Sequence, residues 1–207
     1  MSSNVLPAAA SALAILVAGS TAFLLPMGPL SAHMLLHIAL MNLAAPLAAI
    51  VLVRACPAGF DRAALLWTAA IVQIVLLWAW HAPPAHRAAT GSILISFVMH
   101  ASLFVSALAF WTLLTRMSAR NRWQVILSLL VTGKLACLLG ALLIFSPRAL
   151  YELSHGHHYA THSTLDDQQL AGLYMVVACP LSFVLAGIIV AAQVMRDLGR
   201  HPAALAR

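Results

Sequence analysis

Six stretches of about 20 apolar residues, at about 5–25, 32–53, 63–81, 92–115, 123–146 and 168–195, leave this chain few ways to fold. Twenty residues of helix, at about 1.5 Å each, cross the roughly 30 Å of bilayer hydrocarbon. A helix also satisfies its own backbone N–H and C=O groups where no water can. The pattern predicts an all-α, polytopic membrane helix bundle with six transmembrane helices, forming a single transmembrane domain over 1–207. Composition agrees, since 63% of the residues are hydrophobic and 8% charged, against roughly a quarter charged in a soluble domain. The first stretch is read as a retained helix, because no Lys or Arg precedes it and its apolar run exceeds that of a leader.

The arginines orient the bundle. With six spans, one side carries Arg54, Arg62, Arg116, Arg120, Arg122, Arg196, Arg200 and Arg207, and the other carries Arg87 and Arg148. Basic residues concentrate on the cytoplasmic side, so both termini are expected inside, N-in/C-in. The basic residues form no cluster larger than Arg116, Arg120 and Arg122, which gives no support to a nucleic-acid partner. Membrane lipid is the surrounding medium. Cys56, Cys137 and Cys179 show no CxxC spacing and read as packing residues.

That orientation sorts the histidines. His33 and His37 open the second span from outside, His81 ends the third, and His86 follows it in the outer loop. His100 lies roughly 12 Å down the fourth span at 1.5 Å per residue. The loop HGHHYATH before the last span adds His155, His157, His158 and His162. His201 alone falls inside.

His33 and His37 are one helical turn apart and share a face, with Met41 a turn further along the same stripe. Such a pair can converge on one metal ion. The plainer reading is packing, and for His100 a hydrogen bond across helices. Against that stands the cost of a polar side chain in hydrocarbon, which usually faces a bundle interior or an aqueous cavity. Imidazole suits zinc, copper, iron and nickel, while thioether favours Cu(I). Met27, Met34, Met41, Met99 and Met175 in the outer half incline the choice towards copper. No HExxH occurs, so a hydrolytic zinc site is the weaker expectation. The loop histidines read either as a solvated segment or as entry ligands that collect an ion for deeper ones. Ser163 and Asp166, or Thr164 and Asp167, stand at capping-box-like spacing, and Asp167 could also orient a histidine. The expected metal set is therefore His33, His37, His81 and His100 as its core, Met41 and Asp167 in support, and the loop histidines at the entrance.

Three rivals use the same residues differently. A haem electron carrier would place His37 and His100 on the two haem faces, and a zinc hydrolase would use Asp167 with the histidines. A proton-coupled transporter would centre on Lys134, mid-span in the fifth helix, where a bare ammonium costs at least ~2.5 kcal/mol. Lys134 is expected to face a watery interior or to be deprotonated.

Four segments, HMLLHIALMNLAAPL (33–47), WHAPP with its following alanines (80–89), MHASLFVSALAFW (99–111) and DQQLAGLYM (167–175), occur in this order at these helix ends. Together they resemble the integral membrane cytochrome c oxidase assembly factors of the CtaG type, over about residues 31 to 187. Valine stands at 176 where a tryptophan is usual. The resemblance implies a multi-pass protein of the bacterial inner membrane that helps make active haem-copper oxidase. Its motif residues fall on His33, His37, Trp80, His81, His100, Asp167 and Gln168. The HGHHYATH loop lies outside that pattern. The reading that follows is a carrier, not an enzyme, that passes copper from a periplasmic donor to the oxidase catalytic subunit.

Overall fold

The computed structural model describes residues 28–56, 62–151 and 164–200. The predicted first span, His155, His157, His158, His162 and His201 lie outside the described residues. Within them, all regular structure is helical. Five helices are long and apolar enough to cross a membrane: Pro29–Ala55, Ala63–Trp80, Ile93–Thr115, Ala119–Phe145 and Thr164–Asp197. They coincide with five of the predicted spans, the last beginning earlier than its hydropathy suggests.

The first of these is not one continuous α-helix. It runs as α1 (Pro29–Ala39), a π-helical turn (Leu40–Ala44) and α2 (Ala45–Ala55). Pro46 explains the interruption, because it has no N–H to donate and its ring crowds the carbonyl one turn back. In the π turn the Ala45 N–H reaches the Leu40 carbonyl. The Met41 carbonyl is thereby released and accepts the Trp111 indole N–H at 3.0 Å. A neighbouring helix thus stabilises the irregular turn, as polar groups at this depth require.

Beyond it come α3 (Ala63–Trp80), α4 (Pro83–Gly91), α5 (Ile93–Thr115), α6 (Arg122–Phe145) and α7 (Thr164–Arg200). The short α4 departs from expectation, since HAPPAHRAATGS was read as a loop. Pro83 and Pro84 open this helix, where a missing N–H costs nothing and a fixed φ helps. The alanines then carry it forward. The outcome matters because it buries His86.

The helices α6 and α7 approach most closely through glycines. A Cβ on Gly140 would stand 2.9 Å from the Gly172 carbonyl oxygen, and one on Gly172 would stand 2.6 Å from that of Gly140. Met99, Leu103, Phe110, Leu129 and Leu143 fill the interior, while Phe97, Leu181 and Ile188 point outward. That outward apolar face suits a lipid surround. At the end away from the histidines, Arg116 donates to the Cys56 carbonyl at 2.7 Å and Arg122 pairs with Asp197.

Candidate metal centre

The site starts with the N-terminus of α1. Its first N–H groups have no side-chain cap of their own, and the partner arrives from α7. The Asp167 carboxylate accepts from the Leu30 N–H at 2.9 Å, the Ser31 N–H at 3.1 Å and the Ser31 hydroxyl at 2.5 Å. An anion there is favoured both by the unsatisfied amides and by the helix dipole. Gly28 makes the approach feasible, since a Cβ at 28 would lie 2.0 Å from the Asp167 carboxyl carbon. Gln168 ties the segment before α7 to α6. Its Oε1 accepts from the Leu150 N–H at 2.6 Å and its Nε2 donates to the Leu143 carbonyl at 3.2 Å. Asp167 and Gln168 thus fix α1, α6 and α7 relative to one another.

On α1, held in this way, His33 and His37 stand with ring centroids 4.3 Å apart. His100 of α5 completes a triangle, 5.4 Å from His33 and 4.8 Å from His37. Each of the three offers a ligand atom within 4.8 Å of the others. Tetrahedral ligation at about 2.0 Å sets donors roughly 3.3 Å apart, so an ion would draw the rings inward. His86 lies 5.0 Å from His33, and His81 lies 5.4 Å from His37. Five imidazoles from α1, α3, α4 and α5 share one chamber.

Their hydrogen bonding is one-sided. His100 Nδ1 lies 2.7 Å from the Ser96 carbonyl and His81 Nδ1 lies 2.6 Å from that of Leu77. A carbonyl oxygen only accepts, so each Nδ1 carries the proton and each Nε2 presents a lone pair. His33 Nε2, His37 Nδ1 and Nε2, His86 Nε2 and His100 Nε2 are buried and have no partner among the described residues. Leaving such an atom unsatisfied costs about 1–3 kcal/mol. Burial lowers the pKa of His86 below its ordinary 6.5, which favours the neutral form that ligates. Tyr151 lies over the group, its ring 4.4 Å from His86 and its hydroxyl donating to the His81 carbonyl at 2.6 Å. Burial pushes that hydroxyl up to about 12, so it remains a proton donor.

The structure thus brings His33, His37, His81 and His100 together. Met41 is buried one turn further along α1 and lines a cavity of about 20 Å³ with His37, Met34, Met175 and Cys179. Asp167 stands instead at the end of α1 as its cap, because the bare N–H groups there compete for its oxygens. His86 and Tyr151 were not anticipated as site residues, and the Pro-Pro helix start was the signal for His86. The cavities beside the cluster measure about 20 and 80 Å³, far below the roughly 300 Å³ at which small-molecule pockets begin. Neither of these two cavities has room for a haem plane between His37 and His100. Lys134 is away from all of this. It is exposed on the outer side of the described bundle, in a groove between α6 and α7 with Cys137 and Pro180.

The family model of the cytochrome c oxidase caa3 assembly factor, Caa3_CtaG, matches residues 5–197. No curated protein and no solved structure matches.

Proposed function

The chain belongs to the cytochrome c oxidase caa3 assembly factors, and from that premise we propose that it carries copper to the oxidase catalytic subunit through its imidazole chamber. The observation that carries this reading is the set of buried ring nitrogens without partners at His33, His37, His86 and His100. In a packed interior such lone pairs ordinarily find a donor. Here they face one another, and a cation is the species that would satisfy several of them at once. Imidazole binds copper well, and the methionines beside His37 suit its reduced form.

The ion is cargo, so the chemistry is ligand exchange. Incoming donors replace imidazoles one at a time, and no bond of the cargo is made or broken apart from coordination. No nucleophile or general base is needed, which fits a non-catalytic assembly role. The histidine end would face the periplasm of a bacterial inner membrane, opposite the arginine-rich end. There a periplasmic donor could load it, and the loop histidines His155, His157, His158 and His162 could assist entry.

The test is copper and zinc analysis of protein purified without a histidine tag. Wild type should retain copper, and a His33→Ala/His37→Ala variant should lose at least ~100-fold in affinity. Equal copper content in the two proteins overturns the assignment.

A further inference from the structure

The chamber holds more donors than a single ion can use, and one pair stands apart. His81 Nε2 lies 3.1 Å from the Met34 sulfur, and both side chains are buried, at 4% and 0% exposure. The Nδ1 of His81 gives its proton to the Leu77 carbonyl. In the neutral ring, Nε2 therefore presents a lone pair, and the thioether sulfur has only lone pairs to offer in return. Two electron-rich atoms held this close repel unless a positive centre lies near both. A doubly protonated ring would supply one, but no ion pair to His81 exists among the described residues, and other imidazoles surround it.

We propose a second ion position at His81 and Met34, distinct from the His33, His37 and His100 triangle and suited to a soft monovalent cation such as Cu(I). A cation bonded at about 2.0 Å to the nitrogen and about 2.3 Å to the sulfur subtends roughly 90° at their separation. Thioether ligation selects the reduced ion, whereas the all-imidazole triangle also accepts zinc. His37 supplies the third donor. Both of its ring nitrogens lack partners; the neutral ring has its lone pair on one of them at a time, so by a change of tautomer His37 can serve either position in turn. Beyond Met34 the cavity of about 20 Å³ is walled by Met41, Met175 and Cys179. It has room for one ion or one water, so the soft position opens onto further sulfur.

This inference rests on the copper reading above and adds a second position with its own selectivity. The test titrates the full chain with zinc and, separately, with Cu(I) buffered by a colorimetric chelator, and records X-ray absorption of the copper-loaded protein. Wild type should take one more equivalent of Cu(I) than of zinc and show a sulfur scatterer at bonding distance. Met34→Leu, close in volume, should lose that extra equivalent and the sulfur signal while zinc binding stays unchanged. A purely nitrogen and oxygen shell in fully loaded wild type overturns the second position whatever the variant does. So does full Cu(I) uptake by Met34→Leu. If zinc still binds in either case, the copper reading survives; a wild type that takes neither metal overturns both.

Discussion

Two sets of buried polar side chains lie side by side at the histidine end, and the bundle treats them in opposite ways. Around Asp167 and Gln168, the oxygens accept from Leu30, Ser31 and Leu150 and the amide donates to Leu143. A few ångströms away, nitrogens of His33, His37, His86 and His100 have none of this. The first set closes its hydrogen bonds inside the fold and so contributes to stability. The second leaves its ring nitrogens without partners among the described residues, at a cost in stability. The sequence motif that joins these residues therefore mixes a clamp with a set of unsatisfied imidazoles.

The sharpest way to break the comparison is Asp167→Ala. It strips an anion from three donors and should destabilise the fold by about 3–5 kcal/mol, as loss of one partner of a buried charged contact does. Thermal melting in detergent would read this; an unchanged melt with lost metal would make Asp167 a ligand after all. For the His33→Ala/His37→Ala variant the pattern should reverse, with metal lost and the metal-free protein at least as stable as wild type. Tyr151→Phe should be milder. Losing its bond to the His81 carbonyl should cost about 1 kcal/mol and leave zinc stoichiometry intact, as metal analysis would show.

Acidification tests the imidazole set through His86. Because burial lowers the His86 pKa from 6.5, the unfolded chain takes up a proton below about 6.5 more readily than the folded one. Stability of the metal-free protein is full above that pH and declines as pH falls beneath it. Melting curves on either side of pH 6.5 check the sign, and a rise on acidification would contradict it.

Five of the spans were legible because 20-residue apolar runs need no tertiary information, and the turn spacing of His33 and His37 needs only the helical period. His100 and His81 followed from their positions at the same membrane face. Asp167 was less legible. Its residue type announced a cap, but the Leu30 N–H it caps lies 137 positions away from it, and local spacing pointed to its own helix. His86 was hidden by prolines that looked like a break and proved to be a helix start. The Met34 and His81 contact joins α1 to the end of α3, and no period in either segment encodes it. Lys134 was legible as a charge at mid-span, but no period in α6 told which face it takes; among the described residues that face is exposed.

The π-helical turn at Leu40–Ala44 carries one residue more than regular winding would need. Excision of a single residue there would restore ordinary winding and swing His33 and His37 about 100° around the axis relative to α2. The imidazoles would then sweep out of the chamber with every ligand still encoded. Descendants of this chain could lose the imidazole cluster in one small genetic step, and the length of this segment is the first thing to inspect in any of them.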